Sequence, residues 1–184
     1  MRIIAGSARG KKLAAFDGKQ IRPTPDRVRE ALFSMLTSRF GGFNGLKVLE
    51  LFAGTGALSL EALSRGAATA VMIEQSPYAI ELIKKNTSAC GYDDRATLIP
   101  GELPACLDQV CRYASFDLVL LDPPYHAGLT DPVITKIASL NLLADGGIIC
   151  VETQRSEVPQ PQGSLTLLDR RRYGSTAIHL FGLP

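Results

Sequence analysis

The chain has 184 residues, 46% of them hydrophobic and 21% charged, with a net charge of +2; this is the composition of one ordinary globular α/β-sized domain and excludes disordered, fibrous and disulfide-dense classes. No apolar run reaches the ~20 residues of a membrane-spanning helix, "MRIIAGSARGKK" lacks the apolar core of a secretory peptide, and Cys90, Cys106, Cys111 and Cys150 form no Cys-x-x-Cys pair, so free thiols in a reducing cytoplasm, with no metal and no membrane, are expected. The charge is uneven: residues 1–30 hold eight basic side chains against three acidic ones, a net +5 on a body of net −3, which fits either a polyanionic partner met through this segment or a merely solvated basic face.

In chain order, "RIIAG" and "KKLAAF" flank "SARG" and predict a short hairpin. In "IRPTPDRVREALFSMLTSRFGG", Thr24 suits an N-cap, Pro25 the first helical position and Asp26 the positive helix end. Val28, Ala31, Leu32, Met35 and Leu36 recur on one helical face, Gly41-Gly42 ends it, and Arg22, Arg27 and Arg29 are left around the helix start. From Leu46 strands and helices alternate: "KVLELF", "GALSLEALSRG", "TAVMIE", "PYAIELIKKNTSACG", "ATLIP", a helical stretch near 102–112, "FDLVLL", "DPVITKIASLNLL" and "GGIICVET". A proline-broken "VPQPQG" leads to two closing strands in "LTLLDRRRYGSTAIHLF". The pattern predicts a doubly wound, mostly parallel seven-stranded sheet with an antiparallel end (residues 44–184) behind a basic hairpin-and-helix extension (residues 1–43).

Three stretches carry chemistry. Gly54 and Gly56 lie between a strand and a helix, at the carboxyl end where open α/β sheets bind ligands, although Ser59 breaks the full G-x-G-x-x-G pattern. Glu74 ends the next strand, 18 positions after Gly56, where a carboxylate can accept from ribose hydroxyls. Together they point to a nucleoside, without separating a dinucleotide from S-adenosylmethionine. The fourth strand ends in Asp122-Pro123-Pro124-Tyr125. Prolines stop strands, but their carbonyls stay free; the Asp122 carboxylate and the Pro123 carbonyl can accept both protons of an exocyclic amine while Tyr125 stacks on the base bearing it.

The blocks "MRIIAG", "RPTPDRVREALF", "LFAGTGALSLEALSRGA" and "FDLVLLDPPY" resemble, in order and spacing, the bacterial 16S ribosomal RNA guanine-N2 methyltransferase family, Rossmann-like class I enzymes that use S-adenosylmethionine. The chain departs from the family at Glu50, where Asp is usual, and after the third strand, where Glu102 is the nearest acidic candidate for the adenine contact. The resemblance implies a cofactor pocket of Glu50, Phe52, Gly54, Gly56, Glu74, Glu102 and Asp122, and a base-holding, catalytic set of Asp122, Pro123 and Tyr125. It sets Arg22, Thr24 and Arg27 near the RNA or the mouth of the cofactor pocket; with Arg2, Lys11 and Lys12 of the basic segment, Arg22 and Arg27 are the residues expected on the RNA. It implies a monomeric cytoplasmic enzyme whose partner is 16S ribosomal RNA, free or within an assembling small subunit. Four other readings fit less of the chain. Adenine methylation in DNA lacks a domain for reading duplex sequence. Methylation of a protein glutamine favours Asn at position 122. A dehydrogenase gains nothing from the proline tip, and a non-enzymatic RNA-binding domain would not need the set of Gly54, Gly56, Glu74 and Asp122. His126 is expected to be a loop residue.

Overall fold

The computed structural model describes residues 1–16, 26–124, 128–160 and 162–184, and only the backbone of residues 26 and 27. The segment carrying Arg22, Thr24 and Pro25, the Arg27 side chain, and Tyr125 and His126 therefore lie outside the described residues. Seven strands form one sheet: β1 (Lys47–Leu51), β2 (Thr69–Glu74), β3 (Ala96–Pro100), β4 (Phe116–Leu121), β5 (Leu143–Gln154), β6 (Thr166–Tyr173) and β7 (Thr176–Gly182). Their order is β3-β2-β1-β4-β5-β7-β6, with β7 antiparallel to both β5 and β6 and the other pairs parallel. This is the predicted doubly wound sheet, in the strand order of class I methyltransferases. Among the described residues, four α-helices, α1 (Asp26–Phe40), α2 (Ala57–Ser64), α3 (Pro77–Cys90) and α4 (Thr130–Ser139), and a 3-10 helix at Ala105–Tyr113 cover its faces.

Local chemistry sets the helix ends. α3 starts with the Ser76 hydroxyl accepting from the Ala79 amide and Pro77 in its first turn. It stops at Gly91 (φ 72°), where the Gly91 and Tyr92 amides return to the Ser88 and Thr87 carbonyls. α4 ends earlier than its apolar pattern predicts. Asn141 takes a left-handed φ of 50°, and the Asn141 and Leu142 amides close on the Ala138 and Ile137 carbonyls. Leu143 is thereby freed to open β5.

The predicted short N-terminal hairpin is present as an antiparallel bridge between Arg2 and Lys12, flanked by the Ile3 amide donating to the Lys11 carbonyl at 3.0 Å and the Leu13 amide to the Met1 carbonyl at 3.1 Å. The segment and α1 pack on the sheet: Ile3, Leu13, Leu32, Phe33 and Leu36 share one buried cluster with Val48, Leu118, Ile148 and Leu180. Phe33, off the predicted face of α1, is fully buried. Arg29 corrects the reading of a basic fringe at the start of α1. It is buried and donates to the Arg2 carbonyl at 2.6 Å, fastening the helix to the arm. All four cysteines are free, and among the described residues no helix is long and apolar enough to cross a membrane.

Candidate active site

The turn from β1 to α2 is built on left-handed backbone. Phe52, Gly54 and Gly56 have φ of 58°, 56° and 72°. For a bulky aromatic such as Phe52 this conformation is strained, and strain of that kind concentrates at functional sites. The two glycines serve different ends. A Cβ on Gly56 would stand 3.0 Å from Met72 Sδ and 3.4 Å from Ile83 Cγ1, so Gly56 lets the turn lie against β2 and α3. A Cβ on Gly54 would meet nothing nearer than Phe16 Cε2 at 3.9 Å. Its open side leaves room for a ligand against the backbone.

Glu74 faces that opening. Its Oε2 accepts from the Gly54 amide at 2.8 Å, and its Oε1 from the Gln75 and Ser76 amides at 2.9 and 2.8 Å. A carboxylate offers about four acceptor sites, so one on Oε2 stays available for a hydroxyl.

Strand register then gathers the acidic residues. Glu50 pairs with Met72 and Leu120, and Leu120 with Cys150. Two residues on from each partner, with the side-chain period of two, stand Glu74, Asp122 and Glu152, so all four carboxylates belong to one face at one end of the sheet. Glu50 is buried, its Oε2 accepting from the Ser59 amide at 2.9 Å, within the first turn of α2. Burial, countered in part by the bonds from Ser59 and Leu58 and reinforced by Glu74, lifts its pKa to about 7. Asp122 is driven well above the usual carboxylate range by burial, then by the charges of Glu152 and Glu50. Burial, Glu152 and Asp122 likewise push the Cys150 thiol up. Among the described residues no group of His, Cys, Asp and Glu is arranged to hold a metal ion, whereas a cationic organic ligand seated beside Gly54 would relieve the repulsion.

The N-terminal arm reaches the glycine turn. The Asn86 carboxamide, buried on α3, accepts from the Ala14 amide at 2.7 Å and donates at 3.0 Å to both the Ala14 and Thr55 carbonyls. One side chain thus ties the arm to the glycine turn. Two residues on, Phe16 packs on Tyr78 with ring centroids 5.7 Å apart. Lower down, Glu61 of α2 accepts from the Ile4 and Ala5 amides at 2.7 and 3.0 Å and pairs with Arg65 at 2.7 Å.

The predicted residues Glu50, Phe52, Gly54, Gly56, Glu74, Asp122 and Pro123 are therefore brought together at the carboxyl ends of β1, β2 and β4. Exposed Glu102 follows β3, and the Gly101 amide beside it bonds the Glu74 carbonyl at 3.0 Å. Arg2, Lys11 and Lys12 are exposed on the arm, and Lys11 is engaged with the Ala89 carbonyl in the last turn of α3. Sequence reasoning missed Glu152 and Asn86. Each had a signal: a carboxylate closing the apolar "IICVE", and a lone amide at the 3-4 spacing of Ala79, Leu82, Ile83, Thr87 and Cys90.

A family profile described as Conserved hypothetical protein 95 matches residues 1–182. Ribosomal RNA small subunit methyltransferase D of Haemophilus influenzae is 34% identical over 183 residues, covering 98% of this chain and 93% of that protein. The Escherichia coli K12 protein of the same name is 34% identical over 182 residues, covering 98% and 89%. Among solved structures, a hypothetical protein of Thermus thermophilus superposes with a TM-score of 0.82 at 30% identity over 98% of each chain.

Proposed function

We propose a function from the premise that this chain belongs to the Conserved hypothetical protein 95 family, alongside relatives named ribosomal RNA small subunit methyltransferase D. The chain is a methyltransferase that uses S-adenosylmethionine and acts on 16S ribosomal RNA of the small subunit, at the exocyclic 2-amino group of a guanine. The observation that carries this reading is the convergence of Gly54, Glu50, Glu74 and Asp122 on one face and one end of the sheet.

The residues fit the cofactor. Its ammonium and sulfonium charges match the crowded carboxylates, its methionine part fits the open side of Gly54, and its ribose fits the remaining acceptor of Glu74. Glu102 is assigned to the adenine amino group. When bound, the cofactor supplies an electrophilic methyl group.

The protein supplies the acceptor half. The 2-amino nitrogen of guanine is a poor nucleophile because its lone pair is delocalised into the ring. The Asp122 carboxylate and Pro123 carbonyl take its two N–H groups, which favours a pyramidal nitrogen with its lone pair free. As the new N–C bond forms and the methyl–sulfur bond breaks, one amino proton passes to Asp122, whose elevated proton affinity suits it to receive that proton. Catalysis is mainly positioning, with Glu152 and Glu50 raising the proton affinity of Asp122. Unstacking the base costs about a few kcal/mol. Tyr125, assigned by its place in the motif, returns about 1–3 kcal/mol by stacking.

The test is methyl transfer from labelled S-adenosylmethionine to small subunits of a strain lacking the enzyme, wild type beside Asp122→Ala. Label in 16S RNA that disappears with Asp122→Ala, with cofactor affinity by calorimetry largely retained, is expected. Full activity in the variant would remove Asp122 from the chemistry.

A further inference from the structure

The outer edge of the sheet carries positive charge that the arm does not account for. β6 is the last strand, and "DRRRY" sets Arg170, Arg171 and Arg172 in succession along it, while Arg155 directly follows β5. Both β5 and β6 run antiparallel to β7, so they run the same way and their carboxyl ends lie together. The register makes this specific: Arg171 pairs with Ile178, which pairs with Glu152, and Arg172 pairs with Ala177, which pairs with Thr153. The arginines therefore stand level with the tip that holds Asp122 and Glu152. Three strand spacings of about 4.8 Å separate β6 from β4, roughly 14 Å, a few nucleotides along an RNA strand. By contrast Lys11 bonds Ala89, twelve residues from the Pro77 end of α3 and so about 18 Å from this rim at 1.5 Å per residue.

These charges are not balanced locally. Asp169 is shared by Arg171 at 3.3 Å and Arg39 at 3.5 Å. Arg155, Arg170 and Arg172 have no carboxylate at ion-pair distance among the described residues. Half-buried Arg170 donates to the Arg155 carbonyl at 3.0 Å and leaves its Nε buried without a partner. Charged side chains also protect edge strands from pairing with other chains, but that purpose explains neither Arg155, which lies beyond β5, nor the stability given up at Arg170.

We propose that Arg155, Arg171 and Arg172 form a phosphate-binding rim that holds the RNA backbone flanking the target nucleotide, on the side of Asp122 away from the arm. This rests on the proposed function. The test measures binding of 16S RNA and of intact small subunits over a range of salt. It compares wild type with the Arg155→Ala/Arg171→Ala/Arg172→Ala protein, the corresponding triple Lys protein, and an Arg155→Ala/Arg172→Ala protein that spares the Asp169 pair. Three lost phosphate contacts should weaken RNA binding about tenfold or more and flatten the log Kd against log[salt] slope by about 2, at about 0.7 per contact. The Lys protein should recover most of the slope, and S-adenosylmethionine affinity should not move. An unchanged slope in the triple Ala protein, with normal wild-type binding, would overturn this inference alone. Weakened binding to subunits with unchanged binding to naked RNA would assign the rim to an acidic protein surface and overturn it too. No RNA binding by the wild type would overturn the proposed function with it.

Discussion

Glu50 is where stability and function pull apart. Its folded pKa of about 7 lies above the model-compound value of 4.5, so between those values the folded state holds more protons than the unfolded chain. The stability this provides is complete below pH 4.5 and is lost as pH rises through about 7; the span amounts to on the order of 3 kcal/mol. Glu50→Gln can still accept from the Ser59 amide without becoming charged. It should therefore raise the melting temperature at pH 8 and leave it nearly unchanged below pH 4.5, while weakening S-adenosylmethionine binding. A variant less stable at pH 8 would contradict this, and thermal melts across pH decide it. Because Glu50 titrates at about 7 in the fold, cofactor affinity measured by calorimetry should rise from pH 6 to pH 8 as it ionises against a cation. Asp122→Asn keeps the shape but loses the charged acceptor, and should lower kcat by about 10²–10⁴-fold with cofactor affinity changed far less.

At the scale of elements, the glycine turn and the arm act as one piece through Asn86. Asn86→Ala removes three hydrogen bonds and leaves the Ala14 amide and two carbonyls to find other partners. Denaturant unfolding should show a loss of about 2–4 kcal/mol, with weakened cofactor binding, although Asn86 is on neither strand tip. Gly56→Ala should be more damaging than Gly54→Ala to stability, since both incur about 1–2 kcal/mol for a left-handed φ but only the former drives a Cβ to 3.0 Å from Met72. Equal losses of stability would refute the division of labour between the two. The turn itself was legible in the sequence, because glycines between an apolar strand and an amphipathic helix have few other uses there. Asn86 was not, because a buried amide on a helix gains its meaning from Ala14, 72 residues away. The early end of α4 depended on a left-handed Asn141, and the apolar period through Leu140, Leu142 and Leu143 concealed it.

For the whole molecule, parallel topology turns strand tips scattered through the chain into a single site. Asp122, Gly54 and Glu74 could be placed at one edge from the alternation of strands and helices alone, because each ends or closely follows a buried strand. Glu152 could not, since its importance comes from the pairing of β4 with β5 and not from any motif. Charge was the least legible property. The excess in the first thirty residues suggested one basic surface there, yet Arg29 is buried against the arm, and a second group of arginines stands at the same end of the sheet as Asp122 through the reversed strand β7. The most direct measurement is nucleoside analysis of 16S RNA after incubating undermethylated small subunits with the protein and labelled S-adenosylmethionine. The expected result is label in N2-methylguanosine at one position, absent with Asp122→Asn. Label in a methylated adenosine, or none in ribosomal RNA, would contradict it.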